Sequence, residues 1–100
     1  MSNPENTGEN MSIEEIICQV TAICQKYGVE HLALFGSYAA GNARADSDID
    51  FVIKGGTDFE KMQEEIEKIP TLKKIDLFAY DRIKNQALRE DMDLYGKEIY

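Results

Sequence analysis

Asp48 and Asp50 stand two positions apart in Asp48-Ile49-Asp50-Phe51-Val52-Ile53, a run whose alternation reads as a β-strand. Successive strand side chains point to opposite faces, which places Asp48, Asp50 and Val52 on one side and Ile49, Phe51 and Ile53 on the other. At a rise of about 3.3 Å per residue the alpha carbons of the two acids are roughly 6 to 7 Å apart. That spacing can bracket the pair of cations, about 3.5 to 4 Å apart, of a two-metal phosphoryl-transfer site. Mg2+ suits it, since it takes a few carboxylates together with substrate phosphates. Taken alone, an Asp-x-Asp reads as the solvent-facing side of an edge strand.

Asp76 shifts the balance. It interrupts the apolar run Lys74 to Tyr80, where alternation sets Asp76, Phe78 and Tyr80 against Ile75, Leu77 and Ala79, and Asp is a poor strand residue. Were the two strands neighbours, three carboxylates would converge on one patch. Each pair at about 6 Å would repel by about 3 kcal/mol at an effective dielectric near 20. Cations relieve such crowding, and without them one acid is driven toward protonation.

Gly36-Ser37 follows the apolar run Val29 to Phe35 as a strand-then-turn signal. Its small residues let backbone N–H groups and a hydroxyl approach a phosphate closely; the alternative is an ordinary turn in which Ser37 caps the next few residues. Gly41 adds flexibility downstream. Arg44, on the same loop, either pairs with a triphosphate or is simply solvated. His31 reads as a structural residue. Cys18 and Cys24 lie six apart in a helical segment, too far round the helix to chelate together, and read as small core residues of a reducing compartment. With a single His and no Cys-x-x-Cys, the chain offers no zinc pattern.

The elements that must position these residues follow from periodicity. Ser12 and Glu15 form a capping-box pattern ahead of Ile13, Ile16, Ile17, Val20, Ile23, Cys24 and Tyr27, an amphipathic helix stopped by Gly28. Strands are predicted over Val29–Phe35, Asp48–Ile53 and Lys74–Tyr80. Lys54-Gly55-Gly56 breaks the second strand. Thr57 with Glu60 then offers another capping box, opening a helix through Phe59, Met62, Ile66 and Ile69 whose Lys and Glu form the wet face. Beyond Asp81 a weaker helical period through Leu88, Met92 and Tyr95 ends at Gly96, with Lys97 to Tyr100 extended. This order predicts an α/β (α+β) fold, a small mixed sheet flanked by helices, in one domain over residues 12–100 behind a disordered polar tail over residues 1–11.

Composition agrees with a single core, because 100 residues leave no room for a second. Nineteen acidic against eleven basic side chains give a formal charge of −8, which opposes general nucleic-acid binding and favours a basic protein partner. No apolar run is long enough to span a bilayer, and the first residues lack the basic and apolar regions of a signal peptide, so the expectation is a cytoplasmic protein without membrane contact.

The run Gly36-Ser37-Tyr38-Ala39-Ala40-Gly41-Asn42-Ala43-Arg44-Ala45-Asp46-Ser47-Asp48-Ile49-Asp50-Phe51, followed by Lys74-Ile75-Asp76-Leu77-Phe78, resembles the signature of the polymerase-beta-like nucleotidyltransferase superfamily, and within it the minimal nucleotidyltransferase branch. The resemblance runs from Ser12 to Tyr100. It implies that Gly36 and Ser37 hold the phosphates of a nucleoside triphosphate, that Asp48 and Asp50 bind two Mg2+ ions, and that Asp76 completes the metal site and helps activate the attacking hydroxyl. Arg44 is a further nucleotide-binding candidate. The chain departs from the pattern at Ala40, where the branch usually has Arg before the glycine.

Members of this branch are commonly the antitoxin of a toxin–antitoxin pair whose toxin is a HEPN-type ribonuclease, and some transfer AMP from ATP to a toxin tyrosine. The resemblance thus implies a Mg-dependent adenylyltransferase with ATP as substrate and a HEPN toxin as partner, and is compatible with a homo-oligomer. The competing reading, motivated by Ala40, is a catalytically impaired antitoxin that neutralises its toxin by binding alone. A small-molecule nucleotidyltransferase is the weaker third reading, since no acceptor-binding domain follows the core.

Overall fold

In the computed structural model, which describes residues 11–100, the first helix, α1 (Ile13–Lys26), opens with a closed capping box. Ser12 Oγ accepts the Glu15 N–H at 3.1 Å and the Glu15 carboxylate accepts the Ser12 N–H at 2.9 Å, which satisfies two otherwise unpaired donors. Ile16, Val20 and Cys24 form its buried stripe. Cys18 is exposed, contrary to the core reading: two positions after Ile16 and two before Val20, it is carried to the far side of the helix. The expected tail lies outside the described residues except for Met11, which packs against the core.

Four strands form one mixed sheet in the order β3-β2-β1-β4, built from β1 (Val29–Phe35), β2 (Ile49–Gly55), β3 (Ile75–Ala79) and β4 (Lys97–Glu98). β1 pairs antiparallel with β2 and with β4, while β2 and β3 run parallel. The parallel pair needs a crossover, supplied by α3 (Phe59–Glu67). Leu32, Leu34, Ile49, Phe51, Ile53 and Leu77 point from the sheet into a core closed by Ile16, Val20, Met62 and Ile66 of the two helices. On the opposite face, Met92 of α4 (Gln86–Tyr95) is buried and shares a cavity wall with Ala33 and Val52.

Several boundaries differ from those predicted. β2 begins one residue after Asp48 and continues through Gly55, because Gly55 still pairs with Val29 and its N–H donates to Asp81 Oδ2 at 3.2 Å. Asp58, not Thr57, caps α3, in a left-handed conformation (φ 51°) and without a side-chain bond. Thr57 instead gives its backbone N–H (2.9 Å) and hydroxyl (3.4 Å) to the Tyr27 carbonyl, tying the start of α3 to the end of α1. The C-terminal period divides into a 3-10 turn (Tyr80–Arg82) and α4, which opens where Asn85 Oδ1 accepts the Leu88 N–H at 3.1 Å. The turn after β1 is itself a short helix, α2 (Ser37–Ala40).

Candidate active site

Asp50 occupies the middle of the sheet end, paired with Phe35 on one side and with Asp76 on the other. The flanking pairs of the parallel ladder are Ile49 with Ile75 and Phe51 with Leu77. The pleat that sends these apolar side chains into the core lifts Asp50 and Asp76 together onto the opposite face, across an interstrand distance of about 4.8 Å. Both acids are half-buried. The Asp50 carboxyl is pushed up to about 6, first by burial, then by the negative charge of Asp76 and a hydrogen bond with it, then by the charge of Asp48. Lys74 opposes this only weakly: its Nζ lies 3.8 Å from Asp76 Oδ1, and its side chain is 70% exposed.

Gly36 sits directly against Asp50. Its backbone (φ +73°, ψ −149°) is in a region that side chains avoid, and a Cβ there would lie 2.5 Å from Asp50 Oδ2. The glycine expected for phosphate approach is thus also required by the carboxylate. Ser37 follows as the first residue of α2, half-buried, and its carbonyl accepts the N–H groups of Gly41 (3.0 Å) and Asn42 (3.1 Å), which turns the chain away from the sheet.

The connection to β2 is held through Arg44 and Ser47. Ser47 Oγ accepts the Arg44 N–H at 2.8 Å and the Ser47 N–H donates to the Arg44 carbonyl at 3.0 Å. Arg44 is exposed and is not among the residues that line the cleft beside Gly36. Asp48 emerges from this turn exposed, just ahead of the strand, beside Ser47 and Lys74. The structure therefore brings Asp50 and Asp76 into contact and keeps Asp48 near enough to act on Asp50 by charge. Among the described residues no three His, Cys, Asp or Glu side chains form a ready-made metal cage.

The donor chemistry nonetheless fits a hard divalent cation. The side chains that would hold it are all carboxylates, two of them are crowded without a buried cationic partner, and Mg2+ completes its shell with water and substrate phosphates rather than with a full protein cage. Beside the pair, Gly36, Ser37, Phe35, Ala40 and Asn42 line an open cleft of about 420 Å³ whose other wall is Asp91 and Tyr95 of α4. These last two were not singled out from sequence, although their spacing of four on a helix already puts them on one face.

Comparison with known proteins gives the family of the chain. The family model described as polymerase beta, nucleotidyltransferase matches residues 18–100. A Methanocaldococcus jannaschii protein provisionally named protein adenylyltransferase MJ0435 is 31% identical over 84% of the chain and 99% of its own length. Protein adenylyltransferase MntA of Thermococcus cleftensis is 36% identical over 52% of each chain. Among solved structures, a toxin–antitoxin crystallised with AMP-PNP superposes with a TM-score of 0.63 at 18% identity, over 83% of this chain and 71% of that one. A toxin–antitoxin MntA–HpeT mutant gives 0.59 at 15% identity, over 83% and 70%. At such identities the superpositions speak to the fold, while the sequence match reaches across both acid-bearing strands and the glycine turn. The chain therefore belongs to the polymerase beta nucleotidyltransferase family, and it is a nucleotidyltransferase.

Proposed function

We propose that this chain is a Mg-dependent protein adenylyltransferase that acts as an antitoxin, transferring AMP from ATP to a hydroxyl, a tyrosine by the family pattern, of a HEPN-type toxin in the cytoplasm. The observation that carries the reading is the Asp50–Asp76 pair in parallel register beside a glycine turn. The adenylyltransferase names of the relatives and the toxin–antitoxin nature of the structural neighbours support the choice of acceptor. The net charge of −8 suits a basic, RNA-cutting partner. Among the described residues no helix is long and apolar enough to cross a membrane.

In this reading the acceptor oxygen attacks the α-phosphorus of ATP in line, and pyrophosphate leaves with the electron pair of the broken P–O bond. Asp50 and Asp76, with Asp48 at the rim, would hold Mg2+, which when bound would supply charge neutralisation at the triphosphate. Gly36 admits the phosphates because its bare alpha carbon leaves the backbone accessible, and Ser37 offers a hydroxyl donor to them. Asp76 lies beside Asp50 to receive the acceptor's proton. Catalysis is mainly electrostatic, from groups already fixed by the sheet.

Incubating the purified chain with labelled ATP, Mg2+ and the toxin tests this. Label on the toxin, lost in Asp76→Asn with the fold retained, is the expected result. Ala40 favours the alternative of an impaired antitoxin, because the cleft wall carries a methyl group where the family pattern has a guanidinium. A stable complex without label transfer would decide for that alternative.

A further inference from the structure

The cleft between α4 and the Gly36–Ser37 turn is separated from the carboxylates by Gly36 alone, which lines the cleft while its alpha carbon abuts Asp50. It is a shallow, open depression, so a ligand there would lie along α4 rather than be enclosed. One wall is aromatic. Tyr95, on the last turn of α4, lines the cleft with Phe35 and leaves 67% of its surface in solvent, so most of the side chain is free of packing within the chain. A planar face of this kind stacks any nucleobase.

Charge orients the ligand. Asp91 precedes Tyr95 by one helical turn and lines the same cleft, so its carboxylate repels a triphosphate at the α4 wall and accepts hydrogen bonds from sugar hydroxyls there. The phosphates must then lie on the Gly36–Ser37 side, toward the cation-binding carboxylates. Resting on the nucleotidyltransferase reading, we propose that Tyr95 is the stacking platform for the base of the bound nucleoside triphosphate, which enters with base and sugar against α4 and phosphates against the glycine turn.

A further cavity, about 380 Å³ beside Lys54 and Tyr80, is a rival seat for the base. Lys54 lies four residues along β2 from Asp50, about 13 Å away at strand rise, farther than the cleft that shares Gly36 with the carboxylates.

Calorimetric titration of the full chain with ATP and, separately, with inorganic tripolyphosphate, both in Mg2+, tests the assignment. Tyr95→Ala should weaken ATP binding about tenfold or more and leave tripolyphosphate binding unchanged, with Tyr95→Phe matching wild type. Tyr95→Leu, which keeps an apolar helical residue but removes the plane, should behave as Tyr95→Ala, separating stacking from folding. Wild-type ATP affinity in Tyr95→Ala, or loss of ATP binding in Tyr80→Ala instead, overturns the platform while leaving the enzyme reading intact. Failure of the wild-type chain to bind either probe overturns both.

Discussion

A Cβ on residue 36 would lie 2.5 Å from Oδ2 of Asp50, so the glycine of the turn and the central acid of the sheet are fitted to each other. Gly36→Ala should therefore lose transferase activity and also destabilise the fold, by about 1 to 3 kcal/mol from backbone strain before the displacement of Asp50 is counted. Gly28→Ala is the control. It shares a positive φ (+75°) but meets nothing within 4 Å, so it should cost about 1 kcal/mol and leave activity per folded molecule unchanged. Equal activity losses in the two variants would contradict the fit.

The raised carboxyl of Asp50 makes stability depend on pH in a defined direction. Between its unfolded value of 3.8 and about 6, the folded chain binds more protons than the unfolded chain at this position. Its contribution therefore favours folding at the acid end, falls as pH rises through that window, and is fully unfavourable above about 6. Glu65, held low by hydrogen bonds from Lys26 and Tyr27, acts with the opposite sign, being stabilising above its ordinary range and losing that contribution as pH falls. The difference between wild type and Asp50→Asn isolates the first effect. Urea midpoints measured from pH 4 to 7 without divalent cations should diverge progressively in favour of the variant up to about pH 6 and stay parallel thereafter.

Asp76 and Asp48 should be unequal in their hold on Asp50. Burial is the largest cause of the raised carboxyl, followed by Asp76 and then by Asp48. Carboxyl-detected NMR should show Asp50 titrating closer to its ordinary value in Asp76→Asn, though not fully restored, and moving less in Asp48→Asn. The reverse order would mean that the exposed acid ahead of β2, rather than the cross-strand neighbour, is the closer partner.

The core that sets the register is concentrated in a few side chains. Phe51 is fully buried between Asp50 and Val52, and Phe51→Ala should cost about 3 to 5 kcal/mol, a large share of the 5 to 15 kcal/mol typical of a domain this size. Leu72, 80% exposed, should change by less than about 0.5 kcal/mol on the same truncation. Denaturant unfolding of the two variants makes the comparison.

Periodicity was sufficient for α1, the three principal strands and the common face of Asp50 and Asp76, but not for Asp48, which lies ahead of β2, nor for the cover that α4 gives Val52 on that face. It was insufficient where one or two residues decide. A four-residue helix such as α2 spans barely one turn and leaves no repeat to detect. Thr57 carries the type and spacing of a cap, but the Tyr27 carbonyl claims its donors, and that carbonyl arrives through tertiary contact. The exposure of Cys18 follows from its place two residues from Ile16 and from Val20, where helical angle overrides the usual burial of free cysteine. The approach of Asp91 and Tyr95 to the glycine turn is settled by how α4 lies across the sheet, which no local pattern encodes.

The parallel pairing of β2 with β3 ties chemistry to folding more tightly than a loop-borne site would. Sliding one strand past the other by a single residue would oppose Asp50 to Ile75 or Leu77 and turn Asp76 toward the oily interior. A misaligned molecule thus loses its solubility-preserving core and its reactive centre in the same event. The hydrophobic layer serves as the alignment gauge for the acids above it.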